Sequence, residues 1–368
     1  MRWVRHERRR RGDGFDRMGV SITLNCKKRI CIVTEDIAEP IDEGFKKTIF
    51  EICGSLGRSR KTLVLGRNIS SRLGSSILCN RFYASAQIFK RIREFAPEAL
   101  IYLPLSSLTL GSFLRARILS IFAAVPLTMV GFQPRSHSCL ARLIIGLLKP
   151  SLVLVQSRKS LEFCRALGLN SDLLPSGVDL ARFAPVDPAQ KRLLRESYGL
   201  PLDRKILLHV GHLRKGRKLE DLTHFAGDEF LPLVVTSSST SRDEVLKKGL
   251  QDAGVHFYSK FVERIEHFYQ MADAYVFPTQ NSTSAIEFPL SILEAMGCGL
   301  PVLTTRFGGV CDFFSEDETV KFYDGIDDGK EKLRQLLANP AAGSSNTNMA
   351  AFSWDSVAGR ILEKVDKL

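Results

Sequence analysis

What most constrains this chain is an alternation. Strand-length apolar runs at 29–35 (RICIVTE), 62–66 (TLVLG), 99–104 (ALIYLP), 126–132 (PLTMVGF) and 151–157 (SLVLVQS) are separated by helix-length segments. One of those segments carries Phe45, Ile49 and Ile52 on a single face; others cover 83–95, about 110–122 and 138–148. The pattern resumes with strands at 205–211, 231–237, 255–259, 275–279, 301–305 and 319–323. Helices at 218–226, 241–252, 263–272, 290–298 and 327–338 lie between or after them. Near-continuous apolar strands alternating with helices predict a parallel sheet covered on both faces. With 368 residues there is room for two such domains. The expected fold is therefore α/β, two Rossmann-like domains, with ligand held where the strand C-termini of both sheets face a cleft.

Charge narrows the partners. A formal charge of +12 and a pI near 9.4 favour anionic partners: nucleotide phosphates, acidic lipid headgroups or nucleic acid. Part of the excess lies in the first residues, MRWVRHERRRRGDGFDR, which read as a disordered tail without the apolar core of a secretory signal. Met18 offers an alternative start, and no specific nucleic-acid partner is expected from the tail. The eight cysteines (26, 31, 53, 79, 139, 164, 298, 311) form no C-x-x-C pair or zinc spacing. They read as small buried hydrophobes in a reducing cytoplasm. The uncharged run 118–134 contains Pro126 and is short for a membrane span, so it reads as a helix end entering a strand. The helix at 140–150 (LARLIIGLLKP) reads as packed core, while leaving room for peripheral contact with the inner face of a membrane.

The most informative stretch is 285–309, AIEFPLSILEAMGCGLPVLTTRFGG. Pro289 suits a first helical position; Leu290, Leu293 and Met296 recur at helical spacing; Gly299 suits the C-terminal cap. A helix N-terminus here presents free N–H groups to an anion. Glu294 lies off the apolar face, where its carboxylate could accept hydrogen bonds from a sugar hydroxyl. A second stretch, VGHLRKGRKLEDL (210–222), sets a basic turn between a strand end and a helix, a place where cations can hold a diphosphate. Arg214, Lys215, Arg217 and Lys218 compete for that role, with Lys215 and either Arg214 or Arg217 favoured.

The residues Phe288, Leu290, Glu294, Ala295, Met296, Cys298, Gly299, Pro301 and Val302 resemble the nucleotide-binding signature of family 4 retaining glycosyltransferases of the GT-B fold. The segment LLPSGVDLARFAP (173–185) is similar to the one that ends the first domain in that family, with Ser176 where asparagine is usual. Gly177 is expected to allow a positive φ there, and Asp179 to cap the turn. The family separates its two glutamates by eight positions; eight before Glu294 stands Ile286, and the acid is Glu287. His212 likewise stands in place of the family's arginine.

After the disordered basic tail (1–25), the resemblance implies an acceptor-side domain (26–185), a nucleotide-sugar domain (186–350) and a final helix (351–368) that crosses back to the first domain. It implies a metal-independent hexosyltransferase with no cofactor, using a nucleotide-diphosphate sugar and an unidentified glycan or lipid-linked acceptor. Such transfer retains anomeric configuration without a protein nucleophile, through positioning and charge stabilisation. The catalytic set implied is Arg214, Lys215 and Glu287. The donor set is Gly44, His212, Arg217, Phe257, Tyr258, Phe288, Leu290, Ser291, Ile292 and Glu294. Arg135 and His137 are candidates for sugar or acceptor contact; Phe132 and Gln133 occupy the place where the family carries a histidine. Two other readings share the architecture: a non-catalytic paralogue that binds a nucleotide sugar, and a sugar-nucleotide epimerase. A dinucleotide oxidoreductase is disfavoured because no G-x-G-x-x-G follows an early strand.

Overall fold

A computed structural model describes residues 28–39, 41, 43–77, 85–236, 243–258, 262–338 and 348–368. The basic tail lies outside them, as do Cys26, Cys79 and residues 259–261. Among the described residues, nine strands belong to the first half: β1 (Ile30–Thr34), β2 (Asp36–Ile37), β3 (Thr62–Gly66), β4 (Asn68–Ile69), β5 (Ser75–Ser76), β6 (Ala99–Leu103), β7 (Leu127–Gly131), β8 (Leu152–Val155) and β9 (Ser171–Leu173). Seven of them form a parallel sheet in the order β5-β3-β1-β6-β7-β8-β9, and β2 pairs with β4 beside it. The second half contributes β10 (Lys205–Val210), β11 (Phe230–Val235), β12 (His256–Tyr258), β13 (Ala274–Phe277), β14 (Val302–Thr304) and β15 (Val320–Phe322). These make a second parallel sheet in the order β12-β11-β10-β13-β14-β15. The alternation in sequence is thus two doubly wound sheets, each with its strands buried between helical layers.

The helices are α1 (Gly44–Ser59), α2 (Ala86–Phe95), α3 (Leu110–Ala123), α4 (Cys139–Leu147), α5 (Arg158–Ala166), α6 (Pro188–Ser197), α7 (Glu244–Asp252), α8 (Glu266–Met271), α9 (Leu290–Gly297), α10 (Val310–Phe313), α11 (Ile326–Ala338) and α12 (Trp354–Asp366). Several have the caps their sequences call for. The side chains of Ser85, Thr109, Ser138, Ser157 and Asp187 each accept a backbone N–H at the start of α2, α3, α4, α5 and α6. Pro289 is the N-cap residue of α9, one place earlier than its expected position, and Gly299 closes it at φ 77°. The segment expected as a helix over 218–226 is a 3₁₀ helix, Leu219–Phe225. Its buried Leu219, Leu222 and Phe225 recur every three residues, which suits the three-residue turn.

Helix α12 lies along α1 and belongs to the core of the first sheet. Trp354, Val357, Ile361 and Val365 share one buried cluster with Ile30, Ile49 and Ile52. Ion pairs Arg58–Asp355 and Arg60–Asp366, each at 2.6 Å, and a Lys364–Asp172 pair fasten its length. Gly177 is not in the positive-φ region, contrary to the sequence expectation. Its glycine answers a steric need instead, since a Cβ there would lie 2.5 Å from the Trp354 ring. Asp179 does cap the turn, accepting from Ala181 N at 3.0 Å and Arg182 N at 3.2 Å.

Two further expectations change. Cys139 is exposed, while Cys31, Cys53, Cys164 and Cys298 are buried and burial raises their thiol pKa values. Helix α4 is not packed core: only Ile145 is buried, and Leu140, Leu143 and Leu147 are 65–74% exposed. Nine residues apolar on most sides cannot all face inward when the helix rests on the domain along one edge. Among the described residues, no helix is long and apolar enough to cross a membrane.

Candidate active site

Both sheets direct their strand C-termini at one segment, 281–294, and the contacts there come from both domains. Gln133, just past the end of β7, is buried and donates from Nε2 to Thr283 O (2.9 Å) and Ala285 O (2.7 Å). Between those carbonyls, Ser284 O accepts from Arg217 Nη2 at 2.9 Å. Phe132 O accepts from Glu287 N at 2.8 Å. The Gly308-Gly309 turn after β14 closes the other side, with Gly309 N donating to Glu287 O at 2.8 Å. A Cβ on Gly309 would fall 1.8 Å from Gln156 O, so only glycine permits this approach.

The two acids of the informative stretch diverge. Glu287 is 2% exposed and points at the start of α5, where its Oε1 accepts from Ser157 Oγ (2.6 Å) and Ser160 Oγ (2.7 Å). Its Oε2 is buried without a hydrogen-bond partner. Burial outweighs the two hydroxyl bonds and raises the carboxyl pKa above its ordinary value. Glu294 is 6% exposed and instead meets α1 and α8. Its Oε1 is ion-paired with Lys47 of the first domain, and its Oε2 accepts from Tyr269 Oη at 2.7 Å. Gly44, at the N-terminus of α1, sits across from Ile286, whose Cδ1 is 3.9 Å from where a glycine Cβ would stand. The structure therefore brings Gly44, Lys47 and Glu294 together and sends Glu287 elsewhere.

The basic turn divides by burial. Arg214 and Lys215 are exposed, and His212 is half-buried. Arg217 is 7% exposed and folds back over Gly211, where a Cβ would come within 2.6 Å of its Nη1. Burial, reinforced by Arg214, lowers its pKa to about 10, so it stays charged at neutral pH. No aspartate or glutamate pairs with it among the described residues. Beneath lies His209, fully buried, its Nδ1 bonded to Val276 O at 2.9 Å and its pKa lowered by burial to about 3. A neutral imidazole and a carbonyl leave the guanidinium charge uncompensated at a strand end, a setting that favours an anion.

Other residues singled out from sequence fall into supporting positions. Phe288 is fully buried among Phe313, Phe314 and Phe352, so its side chain does not reach the junction; its backbone O accepts from Ser176 Oγ at 2.7 Å. Ile292 lies in the core of the second domain, and Leu290 in the cluster of the first. Ser291 is half-buried on the first turn of α9. Tyr258 packs on Phe268 and Tyr198, and Phe257 lines the other face of the edge strand β12. Arg135 donates to Ser106 O at 3.3 Å. His137 stacks on Phe163 of α5 at 5.3 Å, with Nε2 buried and unpartnered; burial lowers its pKa. Lys47 and Tyr269 escaped the sequence reading, and Gln133 entered it only as an occupant of the family's histidine position. Of the two that escaped, only Lys47 left a trace there, as a cation three residues into the helix that Gly44 opens.

Two parallel sheets meeting at their strand C-termini define the GT-B class of fold. Residues 190–352 match the family model described as Glycosyl transferases group 1. A GDP-mannose-dependent alpha-(1-6)-phosphatidylinositol monomannoside mannosyltransferase from Mycolicibacterium smegmatis is 30% identical over 216 residues, 52% of this chain and 55% of its own. A D-inositol 3-phosphate glycosyltransferase from Xylanimonas cellulosilytica is 26% identical over 238 residues, 58% of this chain and 56% of its own. The chain spans about half the length of the curated relatives it matches. Among solved structures, Anabaena Alr3699/HepE in complex with UDP superposes with a TM-score of 0.73 at 16% identity, covering 92% of this chain and all of that one. A glycosyltransferase from Rickettsia africae gives 0.74 at 13% identity, covering 93% and 98%. These structural likenesses show the fold.

Proposed function

We propose that the protein transfers a glycosyl group from a nucleotide-diphosphate sugar to a hydroxyl of a glycan or lipid-linked acceptor, with retention of anomeric configuration and without a metal. The observation that carries this reading is Arg217, a buried guanidinium without a carboxylate partner among the described residues, set at the end of β10 against the junction segment. In this role Arg217, with Lys215 on the exposed turn, holds the diphosphate and stabilises its charge as it leaves. Glu294 accepts the donor's hydroxyls, with Tyr269 orienting one carboxylate oxygen and Lys47 held beside the other. The group 1 match over the second domain supports a nucleotide-sugar site, and the fold is shared with a protein solved with UDP.

One observation favours the alternative of a non-catalytic binder. Both glutamates of the stretch are engaged by the protein itself, Glu287 by serines and Glu294 by Lys47. Incubation with a panel of UDP-, GDP- and ADP-sugars, with and without EDTA, separates the readings. Transfer or slow donor hydrolysis that survives EDTA, with an α-product from an α-donor by NMR, is the expected result. Nucleotide binding without consumption of any donor would select the non-catalytic alternative.

A further inference from the structure

Between Glu98 and Glu162 the chain has no aspartate or glutamate, yet it carries seven lysines and arginines. Within that acid-free span lie α3 and α4, packed against each other. Of the ten exposed large hydrophobic residues among those described, six are on these two helices. Leu140, Leu143 and Leu147 follow an i, i+3, i+7 spacing, which puts them on one side of α4. Leu114, Ile121 and Phe122, spaced i, i+7, i+8, share a side of α3, and Phe122, 60% exposed, is held by stacking on Phe89 at 3.9 Å. Exposed Arg117, Arg142 and Lys149 lie on or next to the same helices, and none forms an ion pair among the described residues. Clustered leucines, isoleucine and phenylalanine with unpaired cations and no acid on either helix match an interface that is apolar below and anionic at its surface.

We propose that α3 and α4 form a face that seats the first domain on a bilayer containing anionic lipids. The apolar side chains enter the acyl boundary, and Arg117, Arg142 and Lys149 meet the headgroup phosphates. Charge decides between occupants. A second copy of the chain would set this cationic face against itself, whereas an anionic bilayer complements it over its whole area. The placement also has a geometric consequence. Helix α4 starts directly after Gln133, Arg135 and His137, so the membrane face adjoins the junction at which an acceptor would arrive. The inference does not rest on the transfer reading, because its test is read without nucleotide or sugar.

The test is co-sedimentation of the full chain with vesicles of phosphatidylcholine alone and with added phosphatidylglycerol. Binding should require the anionic lipid and weaken with salt. Leu143→Glu/Leu147→Glu should lower the bound fraction at least tenfold, and Arg142→Glu/Lys149→Glu should lower it to a similar extent. The melting temperature should stay unchanged, since these side chains are exposed. Vesicle binding that survives both double variants would overturn the proposal. So would a dimer in light scattering that the leucine variant converts to monomer, because the face would then be an interface between copies.

Discussion

Glu287 and Glu294 stand seven residues apart, yet they reach opposite flanks of the first domain. Glu287 is wedged against two serines at the head of α5, with one oxygen unpartnered; Glu294 is fully engaged by Lys47 and Tyr269. The first is a group whose charge the fold disfavours, and the second is one whose charge the fold completes. The difference teaches that both acids of the informative stretch dock on the first domain, one onto α5 and the other onto α1, and under the proposed function only Glu294 also meets the ligand. Seniority in a motif does not decide which acid does which; the local partners do.

The largest effect should come from Glu294→Ala. Losing charge-assisted hydrogen bonds to donor hydroxyls is worth about 1.5–3 kcal/mol, or a roughly 10- to 100-fold fall in nucleotide-sugar affinity by calorimetry. Unchanged affinity would break the comparison at its base. Replacing Lys215 and Arg217 by alanine should come next, with nucleoside-diphosphate affinity and turnover falling together by about tenfold, since each lost contact to a phosphate is charge-assisted. Undiminished product inhibition by the diphosphate would place the phosphate site elsewhere.

Glu287→Gln should have the smallest effect on donor affinity, and an opposite sign on stability. Folding raises the pKa of Glu287 above its ordinary 4.5, so the folded state takes up a proton more readily than the unfolded one. Its contribution to stability is therefore present below pH 4.5 and is lost as pH rises through the raised value. The glutamine variant, uncharged throughout, should melt higher than the parent at neutral pH, and the gap should narrow towards pH 4. A glutamine variant that melts lower at pH 7, with donor affinity lost, would give Glu287 the ligand-facing role instead.

Much of the architecture was legible because both sheets are built from near-continuous apolar strands, and Gly299 and the caps of α2 to α6 mark helix ends by residue type alone. What stayed hidden depends on contacts distant in sequence. Gly177 suggested a left-handed turn, but its neighbour is Trp354, and nothing local announces that ring. Helix α4 read as core because its composition is apolar, while its exposure follows from how it rests on the domain. The pairing of Lys47 with Glu294 spans 247 residues. Glu287, one place off the family spacing, reads from sequence as a displaced ligand contact, whereas Ser157 and Ser160 hold it at the head of α5.

The most direct test is isothermal titration of the protein and its Glu294→Ala variant with UDP, GDP and ADP in the presence of EDTA. The account predicts that one nucleoside diphosphate binds the parent protein without metal and binds the variant at least tenfold more weakly. Binding of none of the three, or equal binding by parent and variant, would contradict it.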